Sequence, residues 1–353
     1  MAVSSETNNM SQKEINNFRK NILNWYDKNR RVLPWRALSG ETPDPYKVWL
    51  SEIMLQQTVV ATVKSYFEKF THIWPTVHDL AKADRDDVMK EWAGLGYYAR
   101  ARNLHKCAGV VSQEYNGIFP QDETGLKSLP GIGDYTSAAI QSIAFNKPAN
   151  VVDGNIERIM ARVFGIQKPL RDSKKEIKEK SAQFISNKMK RPGDYAQALM
   201  DLGATICTPK SSKCLLCPVK QYCLSFENNW QNDIPVKAPK KVKPQKEADV
   251  FWILNENNEV LLEKRPETEM LGGMIGLPTT PWAVKNSKKS SNNNNLKIYH
   301  SFTHFDLQLN IVKKRDENST IKPENSQFWM SLSKIEDIGF PTLFKKVVSI
   351  AKD

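Results

Sequence analysis

The stretch IPVKAPKKVKPQK, residues 234–246, limits the fold of this chain more than any other. Its three prolines and five lysines can neither extend a helix nor enter a core. It reads as a linker, bounded at 231–247, between a domain over residues 10–230 and another over 248–353. Two cores suit the length, because a single core rarely keeps growing to 353 residues.

The two sides of the linker differ in periodicity. From residue 11 to about residue 206 apolar residues recur at helical spacing, as in Ile15, Phe18, Ile22 and Trp25 or Ala101, Leu104, Ala108 and Val111. Stop signals at Trp92-Ala93-Gly94, Asn116-Gly117 and Phe164-Gly165 cut this run into successive helices. An all-α domain is expected there. Beyond the linker, VFWIL and EVLLEKR flank the turn-like NENN, and FTHFDLQLNIV alternates apolar and polar residues, so an α+β domain is expected. SKKSSNNNNLK, residues 287–297, is polar and of low complexity and reads as an exposed, mobile loop.

A formal charge of +12 on a chain that is 40% hydrophobic describes a folded basic protein and favours a polyanionic partner. MAVSSETNNMSQKEINNF lacks the apolar core of a signal peptide, and no run approaches the roughly 18 apolar residues of a membrane span. The expectation is a soluble, cytoplasmic protein without membrane contact. In that reducing compartment CTPKSSKCLLCPVKQYC, with Cys207, Cys214, Cys217 and Cys223, reads as a ligand set rather than as disulfides. Four-cysteine zinc sites usually bring two close pairs and this stretch has one, but its spacing leaves zinc and an iron-sulfur cluster both open. Cys107 stands apart and reads as a core thiol.

Three further motifs carry chemistry. In LPGIGDYTSAAI, Gly131 and Gly133 precede a helix start, so backbone can approach closely and free N–H groups can meet phosphate. Glu52 lies among Trp49, Leu50, Ile53, Met54 and Leu55, where a charge is costly without a partner or a task. Asp153 heads the helix pattern of VVDGNIERIMARVFG, an ordinary capping position. Taken singly, Glu52 on an exposed helix stripe and Asp153 as a cap are adequate readings.

Taken in order, the motifs WLSEIMLQQT, GLGYYARARNLH, LPGIGDYTSAAI and VVDGNIERIMARVFG resemble the endonuclease III superfamily of helix-hairpin-helix DNA glycosylases, and within it the MutY type of adenine DNA glycosylase. The resemblance runs from about residue 14 to 223. It implies a monomeric base-excision repair enzyme, nucleoid-associated in a bacterium, that removes adenine opposite 8-oxoguanine or guanine from double-stranded DNA. It implies Glu52 as the general acid, Asp153 as the carboxylate that stabilises the oxocarbenium-like sugar, and Tyr135 and Asn155 as residues holding that aspartate and the substrate. Strand-cleaving relatives carry a lysine where this chain has Tyr135, so a monofunctional glycosylase is implied. Gln57 and Tyr97 match the wedges that fill the gap left by a flipped base, with Thr58 and Leu95 alongside, and Arg36 of LPWR matches an active-site position. The four cysteines match the family's 4Fe-4S signature, with Lys210 and Lys213 on the loop between the first two ligands as a basic probe for phosphate.

More loosely, the second domain resembles the Nudix class. LLEKRPETEMLGGMIGLP matches the start of that fold, but TTPWAVKNSKKSSNNNN, which follows, contains no acidic residue to hold magnesium, so nucleotide hydrolysis is not expected. Phe302-Thr303-His304 stands where the family has Phe-Ser-His, a loop that contacts the lesion. Two competing readings are a strand-cleaving or thymine-removing glycosylase and a non-enzymatic cluster protein that binds DNA or senses redox state. Tyr135 and the second domain argue against the first.

Overall fold

A computed structural model describes residues 10–38, 40–239, 242–284, 296–317, 320–324, 326–335 and 337–352. Most of the Asn-rich segment, on which the mobile-loop expectation falls, lies outside the described residues. The chain forms two compact units: residues up to Thr71 with Val110–Pro239, and His72–Gly109 with the residues from Lys240 onward.

The first unit is helical, as its periodicity predicts. Its helices start where the sequence supplies caps: Ser11 and Glu14 form a reciprocal capping box on Gln12–Asn29, and Asp44 caps Pro45–Leu55 with proline in the first turn. Helix Pro192–Thr205 is central and packs against Gln12–Asn29, Asp134–Ile143 and Gly154–Val163. Its Gly203 permits a close crossing, since a Cβ there would lie 2.5 Å from that of Asn155. Helix Pro45–Leu55 is buried on nearly every face, including Glu52. An amphipathic helix with Glu52 on its wet stripe is therefore not what forms.

The second unit combines helices Val77–Lys82 and Arg85–Glu91 with a mixed sheet. The sheet runs β3 (Ile275–Gly276), β2 (Glu259–Lys264), β1 (Gln245–Asn255), β6 (Asp306–Asp316), β5 (Lys297–Ser301), with β4 (Ala283–Val284) on β1 and β7 (Gln327–Ser331) on β2. β1 and β6 pair in parallel from Gln245↔Asp306 to Asn255↔Asp316, and β5 and β6 form an antiparallel hairpin. Helix Thr342–Ala351 buries Leu343, Phe344, Val347 and Val348 in the same core as Val250, Leu262, Leu309 and Ile311. Sequence spacing assigned residues 72–109 to the first domain. They group instead with the sheet, through ion pairs Arg85–Glu267 and Lys264–Asp86 and through Arg102, which donates to the carbonyls of Gly272 and Glu267.

Candidate active site and nucleic-acid interface

Helix Pro45–Leu55 ends at Gln56, and the first unit opens there into a cleft of ≈ 760 Å³. Its walls bring together Glu52, Gln57, Thr58, Gly133, Tyr135, Asp153 and Asn155, residues spread over a hundred positions of sequence. The Tyr135 hydroxyl donates to Glu52 Oε2 at 2.9 Å, so Tyr135 holds Glu52 rather than the aspartate. Burial pushes the Glu52 carboxyl up to about 7; Tyr135's hydrogen bond opposes the rise, Asp153's charge adds to it, and Arg36 opposes it. Burial, with the negative charges of Glu52 and Asp153, drives the Tyr135 phenol well above its ordinary value, so it remains a donor.

Asp153 caps Gly154–Val163, its Oδ1 accepting from the Ile156 amide at 2.8 Å. Its Oδ2 accepts from Asn155 Nδ2 at 2.7 Å. The capping reading and the catalytic one are thus compatible, one oxygen serving the helix while the other is held by an amide beside the cleft. Arg158 orients that amide: its Nη2 donates to Asn155 Oδ1 at 2.9 Å and to the Gly203 carbonyl at 2.7 Å, while its Nε donates to the Cys207 carbonyl at 2.7 Å.

Arg36, matched by motif to an active-site position, is turned inward onto a buried carboxylate. Its side chain is 7% exposed, and Nη1 and Nη2 donate to the two oxygens of Asp201 at 2.7 and 2.9 Å. Arg31 adds bonds from its Nε (2.6 Å) and its amide (3.0 Å) to the same carboxylate. Burial alone would raise the Asp201 carboxyl, but the two guanidiniums hold it below its ordinary range. Sequence reasoning missed Arg158 and Asp201. Their signal was a charge at a helix position whose neighbours are apolar, as in ALMDLGA, the same signal that exposed Glu52.

The hairpin forms as the glycines predict. Gly131 has φ +78°, and Gly133 is the N-cap of Asp134–Ile143 without a side-chain cap. Gly133 itself has an ordinary extended backbone, and a Cβ there would meet nothing within 4 Å. The chain's own packing therefore gives no reason for a glycine at this exposed position. Gln57, exposed at the rim of the cleft, has φ +57°, unusual for a side-chain-bearing residue and of the kind held at functional sites.

Cys207 follows the central helix; Cys214 opens the short 3-10 turn Cys214–Leu216, Cys217 follows that turn, and Cys223 follows the next one, Lys220–Tyr222. Each sulfur has a hydrogen-bond partner. Arg162 Nη1 donates to Cys207 at 3.2 Å, Ser212 Oγ lies 3.3 Å from Cys214, and backbone amides of Val219 and of Ser225 and Phe226 serve Cys217 and Cys223. Burial, and then the other thiolates, push Cys217 up to about 12 and Cys223 up to about 11. Among the described residues, no three His, Cys, Asp or Glu side chains converge on the position of one metal ion. Lys210 and Lys213 are exposed on the intervening loop.

In the second unit Tyr97, with φ +47° and 43% exposed, joins Phe302, Thr303 and His304 around a cavity of ≈ 480 Å³. Its hydroxyl hydrogen-bonds Thr303 Oγ1. Arg100 lies over the Tyr97 ring and donates to the carbonyls of Leu95 and Gly96. Leu95 is 5% exposed, so its side chain packs in the interior and supports this turn. Cys107 is buried, as expected of a core thiol.

A helical unit with a glycine hairpin set before a helix start and a buried glutamic acid facing an aspartate defines a DNA glycosylase of the base-excision class. In keeping with this, residues 50–187 match the HhH-GPD superfamily of base excision DNA repair proteins, and residues 249–349 match the NUDIX domain. The chain belongs to the adenine DNA glycosylase family. It is 35% identical over 344 residues to the adenine DNA glycosylase of Buchnera aphidicola subsp. Acyrthosiphon pisum (strain APS), a match that covers 94% of this chain and 96% of that one. The Homo sapiens adenine DNA glycosylase is 34% identical over 322 residues, covering 76% and 58%. Among solved structures, a thermostable thymine-DNA glycosylase matches with TM-score 0.54 and 31% identity over 61% of this chain and 98% of that one. Endonuclease III in a trapped DNA complex shares the fold, with TM-score 0.52 and 22% identity over 63% of this chain and 99% of that one.

Proposed function

We propose that this protein hydrolyses the N-glycosidic bond of adenine opposite 8-oxoguanine or guanine in double-stranded DNA and leaves an intact abasic strand. The observation that carries the reading is Glu52, a fully buried carboxyl raised to about 7 and hydrogen-bonded to Tyr135 in the cleft that also holds Asp153. Adenine is a poor leaving group as an anion. Glu52, protonated near neutral pH, gives its proton to a ring nitrogen of the flipped base, and the electron pair of the C1′–N bond departs with adenine. The cationic sugar that develops faces Asp153, steadied by Asn155. Water then attacks C1′, and its proton returns to Glu52. Tyr135 stands where a lysine would form a Schiff base, which supports hydrolysis without strand cleavage.

The basic chain grips DNA by its backbone, with the Gly131–Gly133 hairpin and Lys210 and Lys213 on phosphates. Gln57 and Tyr97, both held in left-handed backbone, fill the stack when adenine leaves it, and Thr58 lies beside Gln57. Thr303 and His304, exposed at the tip of the β5–β6 hairpin, face 8-oxoguanine, and Phe302 anchors them. Four half-buried sulfurs, each with a hydrogen-bond partner, fit a 4Fe-4S cluster held by Cys207, Cys214, Cys217 and Cys223. Bound there, the cluster supplies a rigid anchor for the Lys210–Lys213 loop. We further propose a cytoplasmic monomer whose sequence divides into domains at 10–230 and 248–353, with residues 72–109 of the first grouped in space with the sheet; among the described residues, no helix is long and apolar enough to cross a membrane.

The test is a duplex with one adenine opposite 8-oxoguanine, incubated with protein and then cleaved with alkali. Wild type should yield a single break, and Glu52→Gln and Asp153→Asn little or none. Equal cleavage by the variants, or none by wild type, overturns the proposal. Duplexes carrying thymine opposite guanine, and borohydride trapping of an adduct, check the thymine-removing and strand-cleaving activities.

A further inference from the structure

We propose that Lys243 is a positioning residue for 8-oxoguanine recognition: its ammonium holds the Phe302–Thr303 peptide so that the loop presents Thr303 outward. This rests on the reading that the loop at Thr303 faces the lesion.

The β5–β6 turn is short, and most of its polar atoms are already engaged. Ser301 pairs with Asp306, the Phe302 amide donates to the Phe305 carbonyl at 2.9 Å, and Ser301 Oγ donates to Asp306 Oδ1 at 2.6 Å. The Phe302 ring packs at 4.6 to 5.6 Å from the rings of His300, Phe305 and Trp282. Thr303 and His304 are left exposed at the tip. Lys243 reaches this turn from the segment leading into β1, its Nζ donating to the Phe302 carbonyl at 2.6 Å and to Ser301 Oγ at 3.0 Å. The next residue, Pro244, accepts from the Asp306 amide at 3.0 Å, which fixes the lysine's root beside the turn.

The consequence follows from peptide geometry. The Phe302 carbonyl and the Thr303 N–H belong to one planar trans unit and point in opposite directions. Holding the carbonyl on an ammonium turns the Thr303 N–H the other way and polarises it as a donor. The Tyr97 hydroxyl, bonded to Thr303 Oγ1, fixes the side chain of the same residue. Backbone and side chain of Thr303 are thus set before DNA arrives, Lys243 fixing the first and Tyr97 the second. 8-Oxoguanine differs from guanine by an oxygen at C8 and a proton at N7, so aimed polar atoms separate the two bases, and a loose loop would not.

Single-turnover excision from duplexes with adenine opposite 8-oxoguanine and opposite guanine tests this, using full-length Lys243→Met, Lys243→Arg and Thr303→Val beside wild type. Lys243→Met should lower the ratio of the two rates roughly three- to tenfold, the worth of one partly exposed charge-assisted hydrogen bond. The fall should lie in the 8-oxoguanine duplex, and Lys243→Arg, which can still donate to the carbonyl, should restore most of it. A ratio unchanged in Lys243→Met while Thr303→Val lowers it overturns the role of Lys243 and leaves the loop reading standing. A ratio unchanged in both removes the loop from lesion reading and this inference with it. Equal losses on the two duplexes, with a shallower salt dependence, would mark Lys243 as a phosphate contact and refute the inference.

Discussion

Glu52→Gln should make the protein inactive and more stable, and the stabilisation should depend on pH. An ordinary glutamate titrates at 4.5 and Glu52 at about 7, chiefly because burial disfavours the carboxylate. That difference corresponds to about 3 kcal/mol. Because the folded value lies above the unfolded one, the neutral acid's contribution is complete below pH 4.5 and is lost as pH rises through about 7. Glutamine never ionises, and its amide oxygen can still accept the Tyr135 hydroxyl. In urea unfolding followed by tryptophan fluorescence, the variant should therefore exceed wild type by about 3 kcal/mol near pH 8, with most of the gap absent near pH 5. Excision should fall by roughly 10²- to 10⁴-fold, the usual contribution of a general acid. A gap of the same size at both pH values would refute the argument, because a simple packing change does not titrate.

Wild-type excision should decline as pH rises through about 7, where Glu52 loses its proton. Tyr135→Phe, which removes a bond favouring the carboxylate, should move that decline to higher pH, and the residual activity of Asp153→Asn should decline at lower pH; single-turnover rates across the neutral range check both. Gly133→Ala, whose new methyl meets no protein atom within 4 Å, should change stability by less than about 1 kcal/mol yet weaken binding to duplex DNA in a fluorescence titration. Cys217→Ser should strip iron and visible colour from protein purified without oxygen, and lower the thermal midpoint of the helical unit.

The helices and the linker were legible because periodicity and proline chemistry are local. The hairpin was legible for the same reason, in the glycines of LPGIGD. The grouping of residues 72–109 with the sheet was not, because it depends on ion pairs such as Arg85–Glu267 between residues far apart in sequence. Within the site, the motifs that carry Glu52, Asp153, Tyr135 and Asn155 were legible, and the four residues line one cleft, but their pairing was only half legible. Motif order says that a tyrosine and two carboxylates meet; it does not say which oxygen the phenol reaches. Arg36 and Leu95 mark the same limit from the other side. A motif carries a residue to a region, and burial, 7% for the one side chain and 5% for the other, decides whether it faces DNA or supports what does.

The two carboxylates have opposite surroundings, which suit the two roles proposed for them. Glu52 sits on a helix buried all round and has one donor, Tyr135, too little to offset burial, so it keeps its proton near neutrality. Asp153 stands at a helix N-terminus with a backbone amide on one oxygen and the Asn155 amide on the other, partners that suit a negative charge. The negative charge on Asp153 in turn raises Glu52, so in the proposed mechanism the group that would steady the sugar cation also helps keep the acid protonated. Arg158 extends this arrangement to the cysteines by bonding both Asn155 and the Cys207 carbonyl. Loosening the cysteine loop should therefore cost catalysis by misaiming Asn155 even where DNA binding survives. Arg158→Gln is the variant that separates the two effects: its excision rate should fall far more than its affinity for duplex DNA, and a proportional fall in both would show that the arginine serves only the fold.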